Sequence, residues 1–140
     1  MTRSRIRDIL ALSDRVLSDI VIIWKAKGGM SLISSDIIRG HLDAIILQLI
    51  CEKDRYGYDI SNEIAERTKN AFEIKEPTLY AVLQRLMKRG LVESYLGDMS
   101  FGSQRRYYAI TKDGRSYLDE EIHNWHEARN IINIFMEGLQ

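Results

Sequence analysis

The stretch EPTLYAVLQRLMKRGLVESYLGDMSFGSQRRYYAITKDGR, residues 76–115, decides the fold of this 140-residue chain. Pro77 suits the first turn of a helix, where its missing N–H costs nothing. Leu79, Val82, Leu83 and Leu86 recur at i, i+3, i+4 and i+7, which predicts a helix over Pro77 to Arg89 with one face in a core. Gly90 stops it. The opposite face carries Pro77, Ala81, Gln84 and Lys88, flanked by Tyr80 and Arg85. Leu91 to Leu96 and Arg105 to Thr111 then read as paired strands, with residues 97–104 as the tip between them.

Upstream, Ile37 to Cys51 is nearly continuous apolar sequence, the mark of a helix buried on most sides. Lys53-Asp54-Arg55 ends it. Tyr56-Gly57-Tyr58-Asp59 makes a tight start to a short helix ending near Lys69, with Ile60, Ile64 and Ala65 inward. Phe72 and Ile74 alternate through a short extended connector. Farther back, apolar residues from Ile6 to Trp24 follow helical spacing over about five turns, and Gly28-Gly29 stops that helix. An amphipathic stripe this regular needs something to pack on.

Downstream, Thr111-Lys112-Asp113-Gly114 opens a last helix running to about Leu139, about 38 Å if continuous. Trp125, Ala128, Ile132, Phe135 and Leu139 repeat with the spacing of a helix–helix seam, and Ile131, Ile134 and Met136 widen it. One small domain cannot cover so long an apolar face, and a second copy of the chain is the simplest partner. The expected organisation is a helical extension over 1–29, a compact unit over 30–112 and a dimerisation helix over 113–140.

Composition narrows the class. No apolar run approaches the roughly 18 residues needed to span a membrane. Asp8, Asp14 and Asp19 interrupt the N-terminal apolar stretch, unlike a secretory signal. The single cysteine, Cys51, cannot form an intrachain disulfide, which suits the cytoplasm. Net charge is zero, but residues 67–115 hold ten Lys/Arg against five Asp/Glu, while residues 116–140 hold one Arg against five acidic residues. A polyanion feels the local field within about 10 Å rather than the total.

The expected fold class is mainly α: a winged helix-turn-helix with a two-stranded β wing, a long C-terminal dimerisation helix and an extra N-terminal helix. The DNA major groove admits one α-helix, whose outer side chains meet base edges and phosphates. Gln84 can pair bidentately with adenine, and Arg85 and Lys88 reach phosphate or guanine. Thr78 and Tyr80 lie near the helix N-terminus, whose dipole favours phosphate. Arg105 and Arg106 sit where a wing runs over the backbone or into a minor groove. The bland alternative is a solvated helix face beside an ordinary hairpin.

The chain resembles the PadR family, the phenolic-acid-decarboxylase regulators. The likeness lies in Tyr56-Gly57-Tyr58-Asp59-Ile60, in Pro77 to Leu86, in Gly90-Leu91-Val92, in Tyr95-Leu96-Gly97-Asp98 and in Arg105 to Thr111. It covers about residues 36 to 138. It implies homodimers whose C-terminal helix packs on the partner's first helix, and repression of transcription that small molecules or other signals release. By position, Thr78 and Tyr80 match the family's Thr-Leu-Tyr on the recognition helix, and Arg105-Arg106 match its basic wing. The family often has a Gly-Gly pair before those arginines, where this chain has Gly102-Ser103-Gln104. Trp125 resembles the drug-stacking residue of multidrug-responsive members. A pair of such rings across a two-fold axis would sandwich a flat aromatic effector, with Ile122 and Arg129 lining the pore. The alternative is that Trp125 simply fills the dimer core.

Other signals are weaker. His123 and His126, with Glu120 and Glu127 nearby, have metal-compatible spacing but more often form a solvated face. Cys51 reads as a small buried hydrophobe rather than a redox sensor. His41 beside Asp43 lacks a nucleophile, and no phosphate loop, nucleophile elbow or metalloprotease motif occurs. No catalysis, metal or cofactor is therefore expected. The expected partners are duplex DNA, a second copy of the chain and an aromatic effector. The expected role is a repressor on a pseudo-palindromic operator, the rival being a winged-helix protein-interaction module without DNA binding.

Overall fold

A computed structural model describes residues 36–100 and 103–138. The helix expected over residues 1–29 and the tip residue Phe101 lie outside the described residues, as does Leu139. The elements are α1 (Leu42–Glu52), β1 (Arg55–Tyr56), α2 (Gly57–Arg67), α3 (Glu76–Lys88), β2 (Val92–Ser100), β3 (Ser103–Ile110) and α4 (Lys112–Met136). The three strands form one antiparallel sheet in the order β1-β3-β2. The expected hairpin is thus present, and Arg55 and Tyr56 add a short third strand to its edge.

The helices α1, α2 and α3 bury the faces that their spacing predicts. Leu42, Ile46, Leu47, Leu49 and Ile50 of α1 meet Ile60 and Ile64 of α2 and Leu79, Val82, Leu83 and Leu86 of α3 in one core. Val92 and Tyr108 close it from the sheet and Leu118 from α4. The helix expected from Ile37 is interrupted: residues 36–39 are helical, Gly40 and His41 form a turn, and α1 begins at Leu42. Glycine's poor helix propensity makes position 40 the weak point.

Two junctions fix α3. At the exit of α3, Gly90 adopts φ +72°, a conformation open to glycine. Its N–H donates to Met87 O at 2.9 Å and that of Leu91 to Leu86 O at 3.0 Å, a Schellman ending. Thr111 then caps α4, its Oγ1 accepting from Gly114 N at 3.0 Å and donating to Gly90 O at 2.7 Å. One hydroxyl thereby joins the end of α3 to the start of α4.

Arg55, in the Lys53-Asp54-Arg55 run expected to end the first helix, is buried. Its Nε donates to Leu49 O at 2.9 Å, Nη1 to Asp59 at 2.9 Å and Nη2 to Glu52 at 3.1 Å. Arg67 grips both oxygens of Glu52 at 2.8 and 2.6 Å and reaches Glu63 at 2.8 Å. Burying a charge is costly unless it is paired, and here two arginines share three carboxylates that lock β1 and α2 to the end of α1. The hydrogen bonds from Arg67, and secondarily Arg55, hold the Glu52 carboxyl down at about 2.

Candidate nucleic-acid interface

Leu79, Val82, Leu83 and Leu86 are buried and Met87 packs beside them, so the opposite side of α3 faces outward. Thr78, Tyr80, Ala81, Gln84, Arg85 and Lys88 are all exposed. Tyr80 and Gln84 stand one turn apart and lean toward the wing, where they line an open groove of about 780 Å³. Ser94, Arg105, Arg106 and Tyr108 form its wing side, and Tyr56, Gly57 and Tyr58 its end. Four of the sequence-predicted residues, Tyr80, Gln84, Arg105 and Arg106, therefore meet around one groove. Thr78 and Lys88 lie outside it on the exposed surface of α3.

Gly57 makes room for Tyr80: a Cβ built there would sit 2.8 Å from the Tyr80 hydroxyl oxygen. The Tyr-Gly-Tyr run was legible in sequence as a helix start, but its second task, seating a side chain of α3, was not. Tyr80 also faces Tyr108, whose phenol is pushed up, chiefly by burial.

Arg105 and Arg106 do not act as a pair. Neighbours on a strand point to opposite faces. Arg106 lies on the face shared with buried Tyr108, is exposed and donates from Nη1 to Ser94 Oγ at 3.1 Å. Arg105 goes to the other face and lays its guanidinium over the Tyr56 ring, 4.5 Å from the centroid. That face carries an aromatic ladder: Tyr95 stacks on Tyr107 at 5.7 Å, and Tyr107 meets Tyr56 edge-on at 5.6 Å. Tyr95 Oη donates to Asp54 at 2.5 Å, tying the wing to the turn after α1. This hydrogen bond is the main cause holding the Tyr95 phenol above its ordinary value.

Arg85 is engaged within the protein. It leaves α3 on the flank away from the wing and donates to Asp43 of α1, which pushes its guanidinium up.

A second, largely apolar groove of about 480 Å³ lies between α1, the end of α2 and α4. Ile45, Leu49, Phe72, Leu118, Ile122 and Trp125 line it, and His41 meets Trp125 edge-on at 5.0 Å. Ile122 and Trp125 are thus together, both partly open to solvent, whereas Arg129 is exposed and not in the lining. His123 and His126 are exposed on α4, and among the described residues no group of three metal-ligating side chains gathers. Cys51 packs against the core, with Arg115 Nη1 at 3.4 Å from its sulfur. No helix among the described residues is long and apolar enough to cross a membrane.

Comparison with known proteins bears on the family and the fold. Residues 46–120 match the model of the transcriptional regulator PadR-like family, more than half of the chain. A protein from Lysinibacillus sphaericus is 60% identical over 109 residues, 78% of this chain and all of that protein. Among solved structures, a transcriptional regulator from Clostridium thermocellum is 42% identical with a TM-score of 0.67, covering 71% of this chain and 97% of its own. A PadR-like transcriptional regulator from Bacillus cereus is 30% identical with a TM-score of 0.66, covering 74% and 99%.

Proposed function

This chain belongs to the PadR-like family of transcriptional regulators, and from that premise we propose that it is a homodimeric repressor released by a small-molecule effector. Membership makes it a DNA-binding regulator and not an enzyme. The convergence of Tyr80 and Gln84 with Arg106 around one groove carries the reading of how it holds DNA. In this reading α3 enters the major groove with Thr78, Tyr80, Gln84 and Lys88 outward, and Arg106 runs beside the phosphates. Arg105 and Arg85 contribute through the wing and through α1. Residues 30–112 form the reading unit, 113–140 the dimer arm, and the protein works in the cytoplasm. An interaction module without DNA binding would have no use for an exposed basic face of this kind.

The apolar length of α4 supports the dimer. Ile131, Ile132, Ile134, Phe135 and Met136 are all exposed, beyond the reach of this domain's own core. Two copies would place their recognition helices on half-sites about 34 Å apart on one DNA face. The groove holding Ile122 and Trp125 supports an apolar, flat effector stacked on the indole, and Arg129, outside its lining, would reach such a ligand only by turning in from the next turn of α4. Such a ligand releases DNA only if it binds the two spacings of the dimer unequally.

A mobility-shift assay with the chain's own upstream region tests the proposal. Specific, salt-sensitive binding is expected, and Tyr80→Ala with Lys88→Ala should weaken it by about tenfold or more. Unchanged affinity in that double variant would rule out this face.

A further inference from the structure

Arg85 and Arg89 stand one turn apart at the C-terminal end of α3 and leave it on the same flank. Both converge on one carboxylate. Arg85 Nη2 donates to Asp43 Oδ1, and Arg89 Nη1 to Asp43 Oδ2 at 3.4 Å. Each carboxylate oxygen is therefore held by a different arginine. Arg89 also lays its guanidinium over the Tyr117 ring of α4, 4.5 Å from the centroid. The Asp43 side chain is 21% exposed but Arg85 and Arg89 are 53% and 42% exposed, so solvent screens each pair and the grip comes from two arginines sharing one carboxylate. Asp43 lies in the first turn of α1, where the helix dipole favours an anion.

The same two stretches of chain build the apolar groove. His41, Ala44 and Ile45, on either side of Asp43, line it, and so does Leu118, next to Tyr117. Successive residues of a helix point in different directions, so each stretch touches the groove with one side and an arginine of α3 with another. Arg89 touches both stretches, so a change in the separation of α1 and α4 bears on its contact with Asp43 or with Tyr117.

We infer that Asp43 is a positioning residue for DNA binding: by holding Arg85 and Arg89 to α1, and through Arg89 to Tyr117 of α4, it sets the tilt of the recognition helix according to the α1–α4 spacing at the Trp125 groove. The inference rests on α3 being the DNA-reading helix. Arg85 then acts as a tether and not as a base reader. The cluster gives one carboxylate control over the C-terminal half of α3, while the wing and Gly57 seat the half that carries Tyr80.

The test uses the full chain carrying Trp24→Phe, which leaves Trp125 as its one tryptophan. The probe is the tightest-binding duplex selected by this parent protein from fragmented genomic DNA. Asp43→Asn should bind it about tenfold more weakly, the scale of losing a charge-assisted contact. Asp43→Glu, which keeps the carboxylate, should stay within about threefold. Saturating DNA should change Trp125 emission in the parent and in Asp43→Glu but not in Asp43→Asn. Parent-like or tighter binding by Asp43→Asn, a persisting Trp125 response in it, or no response in the parent overturns the inference while leaving DNA binding intact. If Asp43→Asn does not fold, Arg89→Gln keeps the Asp43–Arg85 pair and cuts the link to Tyr117. Its Trp125 response to DNA should then vanish, and retention overturns the inference. A parent that selects no duplex removes the DNA-reading premise and the inference with it.

Discussion

Gly114 and Glu52 show how much of this fold hangs on single side chains. A Cβ at Gly114 would stand 2.1 Å from Leu91 O, so the first turn of α4 packs directly on the backbone leaving α3. Gly114→Ala must push that turn away, and it should cost about 2–3 kcal/mol, in the range of overpacked sites. The measurement is the urea midpoint at constant slope. Glu52 makes a prediction about acid. Its folded value, about 2, lies below the ordinary 4.5, so its contribution is fully present above about 4.5 and is lost as pH falls from there toward 2. Glu52→Gln should therefore be less stable than the parent at neutral pH. The gap in thermal midpoint should close over that acid window; a constant gap would mean that the Arg67 and Arg55 bonds do not hold this carboxyl down.

At the scale of elements, the wing separates its two arginines. Arg106→Ala should weaken operator binding and reduce the slope of log affinity against log salt by about one, as for a lost phosphate contact. Arg105→Ala should leave that slope within about a third of a unit, because its guanidinium is spent on Tyr56. Fluorescence anisotropy across a salt series distinguishes them, and equal slopes in the two variants would refute the division. Period and punctuation made much of this legible beforehand. The 3,4 spacing of Leu79 to Leu86, with Pro77 and Gly90 at its ends, announced α3 nearly to the residue. The strands were harder: glycines at 97 and 102 read as one long tip, yet β2 and β3 pair through Met99–Gln104 and Ser100–Ser103. A register shift between Leu96 and Met99 absorbs the extra residue, and Gly97 allows the Tyr107 ring to lie against the backbone. Arg55 and the Asp43–Arg85–Arg89 cluster were illegible for a different reason. Their partners lie on other elements, and a charged residue in a sequence looks solvated until the fold supplies its counter-charge.

For the whole molecule, the decisive quantity is how the exposed half of α4 is covered. Among the described residues the core meets only the first two turns of α4, where Gly114 and Leu118 are buried and Tyr117 packs against it, while Phe135 is 79% exposed and Ile131 56%. Neither side chain supports the single-chain core, so replacing both with aspartate should leave the folded unit intact. In a dimer each aspartate would instead meet an apolar partner surface without a counter-charge, a large desolvation penalty. Ile131→Asp with Phe135→Asp should thus halve the mass measured by light scattering. Operator affinity should fall by about a hundredfold or more, since binding two half-sites from one rigid body gains an effective concentration that separate units lack. Affinity for an isolated half-site should stay near the parent's, because α3 and the wing are untouched. Parent-like mass together with parent-like operator affinity would show that these residues do not form the seam. A halved mass with unchanged operator affinity would mean instead that one reading unit suffices for DNA.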